Sequence, residues 1–210
     1  ENFLGELKGN GLQLSYLPPF PFYLNLELGG WKLDELDAGA FGFRDWLATA
    51  RFLASFALGE RAELQVGGGG ALGSGPGSAI QKDELGLVEA DLTFKGYPGA
   101  YGRFVFQNEF HALIRTSTAL ASGSYKRFGF YNLISWKPGK RWELAARFDL
   151  CQGTADGDEA WGKRVTLAVT RSFTEATFLR LEYALDPDLS THSLACQLVF
   201  GLGPHTHPIK

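Results

Sequence analysis

Apolar and polar residues alternate along most of this chain with a period of two. Val88, Ala90, Leu92 and Phe94 interleave with Glu89, Asp91, Thr93 and Lys95, and Trp142, Leu144, Ala146, Phe148 and Leu150 interleave with Glu143, Ala145, Arg147 and Asp149. Leu194, Cys196, Leu198 and Phe200 do the same with Ser193, Ala195, Gln197 and Val199. Successive side chains of a strand point to opposite faces, so this period predicts β-strands with one apolar and one polar face. The pattern recurs in segments of about ten residues, the length with which a tilted strand crosses a bilayer. It places strands at 10–17, 21–31, 44–56, 62–72, 86–95, 101–114, 127–136, 141–151, 162–171, 176–185 and 192–201. The expected fold class is all-β: an antiparallel transmembrane β-barrel forming one domain over 1–210.

The connections alternate in length. Pro18-Pro19, Gly59-Glu60-Arg61, Gly96-Tyr97-Pro98-Gly99, Lys137-Pro138-Gly139-Lys140 and 172–175 are tight, with Gly and Pro supplying turn dihedrals. The segments 32–42, 73–84, 115–126, 152–161 and 186–191 are long. Outer-membrane barrels carry short turns on the periplasmic side and longer loops outside. Roughly eleven strands is an odd number, whereas bacterial single-chain barrels have an even one. The expectation is therefore a barrel of about twelve strands, of which this chain is the C-terminal part, with a strand upstream of Glu1. The lack of any methionine agrees with a processed or truncated chain.

The polar set decides which face meets lipid. By parity Glu27, Arg51, Glu63, Glu89, Asp91, Arg103, Glu109, His111, Arg147, Asp149, Arg180 and Glu182 share one face, and they are expected to line the lumen. The opposite face is aromatic-rich, with Trp46, Phe52, Phe94, Phe104, Phe106, Phe110, Phe128, Phe130, Trp136, Trp142 and Tyr183, several at strand ends where an interfacial girdle belongs. A soluble barrel would reverse this arrangement. Acidic and basic lining residues nearly balance, which predicts a charge-paired network in a narrow lumen rather than a strongly ion-selective pore. Asn108 and Asn132 interrupt the apolar face as near cross-strand neighbours. They are expected either to satisfy each other or to mark contact with a protein partner or second subunit.

The chain has 210 residues, 45% hydrophobic and 14% aromatic, with 27 glycines and a net charge of −3, which gives no footprint for nucleic acid. No apolar run reaches the roughly 18 residues of a spanning helix. Cys151 and Cys196 fall on opposite faces, so two free thiols are expected. Among the histidines only His205 and His207 have metal-like spacing, and two imidazoles fall short of the three or four ligands of a usual site. No GxSxG, HExxH or phosphate-binding loop occurs, so no enzymatic activity and no cofactor are expected. Gly67 to Gly70 lies in a strand and is expected to let it bend or let another backbone approach. Acidic residues such as Asp34, Asp83 and Asp156 fall in the long connections, where solvated loops are the plain reading and hard cations the alternative.

Three stretches resemble a bacterial family of outer-membrane proteins called zinc-regulated TonB-dependent receptor-like. They are GLQLSYLPPFPFYLNLEL from Gly11 to Leu28, ADLTFK from Ala90 to Lys95, and the terminus QLVFGLGPHTHPIK. The resemblance implies an outer-membrane barrel with a longer N-terminus. It does not bring energised uptake with it, because TonB-dependent transporters have a plug and about twenty-two strands. The functional expectation is a pore or passive transport component for small solutes or ions, in contact with outer-membrane lipids of a bacterial envelope. The alternative is a structural or anchoring barrel in a larger envelope assembly.

Overall fold

In the computed structural model, residues 9–33, 44–75, 83–117, 124–152, 161–174, 176–187 and 190–201 are described. They form eleven strands: β1 (Gly9–Tyr16), β2 (Tyr23–Leu33), β3 (Arg44–Ala57), β4 (Ala62–Ser74), β5 (Asp83–Gly96), β6 (Arg103–Ser117), β7 (Ser124–Lys137), β8 (Trp142–Gln152), β9 (Trp161–Ser172), β10 (Thr177–Asp186) and β11 (Thr191–Phe200). All belong to one sheet in sequence order, each antiparallel to the next. This is an antiparallel meander, the strand order that up-and-down barrels use, and no helix occurs among the described residues. The sheet is open: among the described residues, β1 and β11 each pair on one side only.

Every strand lies where the period of two places it, but several run further into the expected loops. β4 reaches Ser74, β5 begins at Asp83, β6 reaches Ser117 and β7 begins at Ser124, so only 118–123 separate the last two. Backbone ladder bonds need no apolar side chains, so a hairpin zips beyond the point where the alternation fades. Length asymmetry between the two ends of the sheet is correspondingly smaller than the sequence suggests. At the tight end, Leu58 N–H donates to Ala62 O at 2.8 Å and Phe173 N–H to Thr177 O at 2.9 Å. Gly59 and Gly99 sit there at φ of 73° and 77°, left-handed values that favour glycine. Near the other end β3 bulges between Arg44 and Leu47, with Asp45 at φ 61°.

Burial is inverted relative to a water-soluble domain. Among the described residues buried apolar side chains are few and include Leu33, Leu47, Leu85 and Leu113, whereas large apolar side chains on every strand are exposed. Apart from Tyr23 at the start of β2, the exposed set on the strands occupies one face: Leu26 and Leu28 on β2, Phe52 on β3, Val88 and Leu92 on β5, Phe110 on β6, Leu144 and Phe148 on β8, Leu167 and Val169 on β9, Leu181 on β10. Exposed tryptophans mark the strand ends of that face, Trp136 and Trp142 toward the tight turns and Trp46 and Trp161 toward the opposite end. Trp31 is the exception, turned to the polar face with its indole N–H 3.4 Å from Thr49 Oγ1.

Candidate functional site: the polar face

The strand register puts every residue expected to line a lumen on the same face. One row runs Glu27, Arg51, Gly69, Glu89, His111, Gly129, Cys151 across β2 to β8. The next row carries Gly67, Asp91, Glu109, Tyr131 and Asp149. The central feature is Arg51, whose guanidinium reaches over β4 to β5. It donates to Asp91 Oδ2 at 2.9 Å and also to Glu89. A side chain spans two strand spacings here because the strand between presents only hydrogen. Cβ atoms built on Gly67 and Gly69 would stand 2.2 Å from Asp91 Oδ2 and 2.7 Å from Ala50 O. Gly67 and Gly69 thus form a furrow for an ion pair, a role more specific than the bend or close approach expected of the tract.

Around this bridge several other charges pair, and others meet amides or hydroxyls. Glu63 accepts from Ser55 Oγ at 2.7 Å and Gln65 Nε2 at 2.6 Å, and Lys95 Nζ lies 3.9 Å from its carboxylate. Arg147 donates through Nε to Asp149 at 2.8 Å and packs over the Tyr131 ring. Arg103 meets Glu143 at 3.1 Å, and Ser135 Oγ donates to the same carboxylate at 2.6 Å. Glu109 takes Gln107 Nε2 at 3.2 Å and lies 3.4 Å from His111 Nε2, while Gln107 also donates to Tyr131 Oη at 2.8 Å. Glu27 accepts from Asn25 Nδ2 at 2.7 Å and Gln13 Nε2 at 3.2 Å, and Arg180 donates to Thr170 Oγ1 at 3.1 Å. Glu182 stands in register between Ala168 and Ala195.

A cavity of about 100 Å³ opens among Arg51, Glu89, Asp91, Glu109 and His111. At roughly 30 Å³ of liquid volume per water it holds a few water molecules, well short of the several hundred cubic ångströms of a solute pocket. Toward the end bearing the bulge, the same face turns apolar: Leu33, Leu47, Leu85 and Leu113 form a buried cluster backed by Trp31, Ala71 and Leu87. Gly73 lies in register between Leu47 and Leu85, so β4 is a furrow here too. Parity alone assigned this face to polar residues and gave no sign of the cluster. Asp83 is another correction: it belongs to β5, is buried, and accepts from Arg115 Nε at 2.9 Å. Its carboxylate faces a cation on a neighbouring strand instead of loop solvent.

No family model, curated protein or solved structure matches the chain. His205 and His207 lie outside the described residues. Within them no cluster of three or more metal-ligating side chains is present. Both cysteines are free thiols, Cys151 partly buried on the polar face and Cys196 exposed on the apolar one. Asn132 Nδ2 donates to Asn108 Oδ1 at 2.9 Å, making the pair directly opposed and mutually bonded on the apolar face.

The furrow gives a direct test. Gly67→Val is expected to push Asp91 away from Arg51 and lower the unfolding free energy of the protein in detergent, read from urea titration, by about 1–3 kcal/mol, the usual cost of overpacking. Gly30→Val, where an added Cβ meets nothing within 4 Å, serves as the control and should be close to neutral.

Proposed function

We propose that the chain forms the wall of a bacterial outer-membrane β-barrel that acts as a pore or passive transport component for small solutes or ions. The observation that carries this reading is the inverted burial. A continuous face of exposed Leu, Val and Phe, edged by tryptophans, would be an aggregation surface in water but matches the solvent offered by acyl chains. The paired charges on the other face then line an interior. Pairing removes most of the net field, so the path suits water and small ions with weak selectivity. The similarity to the zinc-regulated TonB-dependent receptor-like proteins belongs to this reading, without plug or energised uptake. No catalytic step and no cofactor are assigned to the chain.

The buried leucine cluster favours a second reading. An apolar constriction on the lining face excludes water, so the same barrel would serve as a structural or anchoring element of an envelope assembly. Planar-bilayer recording separates the two. Reproducible single-channel steps from purified, heat-modifiable protein support the pore, and silence with intact folding supports the anchor.

Asn108 and Asn132 are the proposed contact with a protein partner or second copy. Replacing both by leucine removes donor and acceptor together and should leave folding nearly unchanged, whereas Asn132→Leu alone strands Asn108 at a cost of about 1–3 kcal/mol. If the pair marks a contact, the double variant runs as a smaller species on a native gel. An unchanged complex removes that assignment.

A further inference from the structure

Cations are confined to the two ends of the apolar face of β7 to β11. Among the described residues, Lys126 and Lys163 lie on that face near the long connections, Arg171 lies on it near the tight turns, and no carboxylate lies on it. Arg171 is in register between Trp142 of β8 and Leu179 of β10. Its guanidinium carbon stands 5.3 Å from the Trp142 ring centroid and 5.3 Å from that of Phe173. Cation–π attraction holds a guanidinium without engaging its five N–H donors. Among the described residues no carboxylate pairs with Arg171 and no acceptor takes those donors. Glu175, next in sequence to Thr174, lies outside the described residues.

Two more cations stand beside it. Ser172 N–H donates to Arg141 O at 2.8 Å, which ties the exposed β7–β8 turn to the residue after Arg171. Lys140 Nζ, in the same turn, lies 4.0 Å from the Tyr101 ring centroid. Neither Arg141 nor Lys140 pairs with a carboxylate among the described residues. Toward mid-sheet, Val169 follows Arg171 on the apolar face, in register with Leu144 on one side and Leu181 on the other, and all three are exposed. A basic, aromatic rim thus continues into an apolar track. β8, β9 and β10 are each paired on both sides, so their backbone has no ladder bond left for an extended peptide. What fits is an amphiphile with an anionic head.

We propose that Arg171, flanked by Trp142 and Phe173, is a headgroup site for an anionic glycerophospholipid. The phosphodiester accepts from the guanidinium, whose planar fork matches phosphate geometry as an ammonium does not. An acyl chain lies along Leu144, Val169 and Leu181. Arg141 and Lys140 add positive potential, which disfavours a headgroup carrying its own ammonium and selects phosphatidylglycerol over phosphatidylcholine. The site rests on the outer-membrane reading and adds to it a choice among the lipids around the barrel.

Native mass spectrometry of the folded full chain, released from detergent after titration with lipid, tests this. Wild type should retain phosphatidylglycerol at a concentration about fivefold lower than phosphatidylcholine of the same acyl length, the factor expected for one surface cation. Arg171→Gln should cut that preference by the same factor. Arg171 is exposed, so the substitution should leave heat-modifiable folding intact. Lys126→Gln, at the far end of the same face, should leave the preference as in wild type. Equal retention of the two lipids by wild type overturns the proposal. So does a preference that survives Arg171→Gln, or one that falls as far with Lys126→Gln, which would mark diffuse attraction instead of a site. Free solubility of wild type in detergent-free buffer would sink the membrane reading itself, so the two failures are distinguishable.

Discussion

Leu181→Arg is expected to cripple folding into lipid vesicles while an arginine in a turn does nothing. Leu181 lies mid-strand in β10, in register with Val169 and Cys196, and its side chain is half exposed on the apolar face. If that face meets acyl chains, a guanidinium near the bilayer midplane costs about 2–4 kcal/mol. If it meets water, the change is an ordinary surface substitution within about 0.5 kcal/mol. Glu60→Arg, in the exposed turn between β3 and β4, gives the reference for added charge. The measurement is the urea midpoint of folding into vesicles, read by electrophoretic heat modifiability. Equal stability of wild type and Leu181→Arg, with free solubility in detergent-free buffer, would end the membrane reading.

Arg51→Ala should be the most damaging single change on the polar face. It leaves Glu89 and Asp91 side by side, two residues apart on β5, with Glu109 in register opposite Asp91. The glycines of β4 offer no substitute cation, and Arg51 is the guanidinium the structure brings to both carboxylates. Breaking a fully buried pair costs about 3–5 kcal/mol; here water reaches the half-exposed arginine, so about 2 kcal/mol is expected. Adding Glu89→Gln to Arg51→Ala should recover much of that loss, because it removes one of the stranded charges, whereas independent sites would simply add. Under the pore reading, the same variant shifts the bilayer reversal potential toward cations, and raising salt diminishes the shift. An unaltered urea midpoint and reversal potential would show that the bridge holds nothing together.

The glycine tract illustrates how far local reading reaches. Four glycines in a strand announce missing side chains, but the need for Gly67 and Gly69 comes from Arg51 on β3 and Glu89 and Asp91 on β5, residues some forty positions apart along the chain, while Gly68 lies on the other face against Phe52. Nothing local to Gly67–Gly70 names those partners. The leucine cluster is invisible for the same reason: Leu33, Leu47, Leu85 and Leu113 come from four strands, and Leu47 and Leu85 flank Gly73, which puts no side chain between them. Asn108 and Asn132 lie at the other extreme. Their equal distances from one hairpin loop make their pairing legible, since a hairpin's register follows from its turn.

By itself the sequence determined the number of strands among the described residues, their approximate positions and the alternation of side chains between two faces, because a period of two writes that geometry into nearest neighbours. Register, and everything that depends on it, was decided by the folded sheet: which carboxylate meets which guanidinium, where the polar face turns apolar, and which two edges stay open. Those contacts join residues distant in sequence, and backbone pairing with the packing over β4 brings them together.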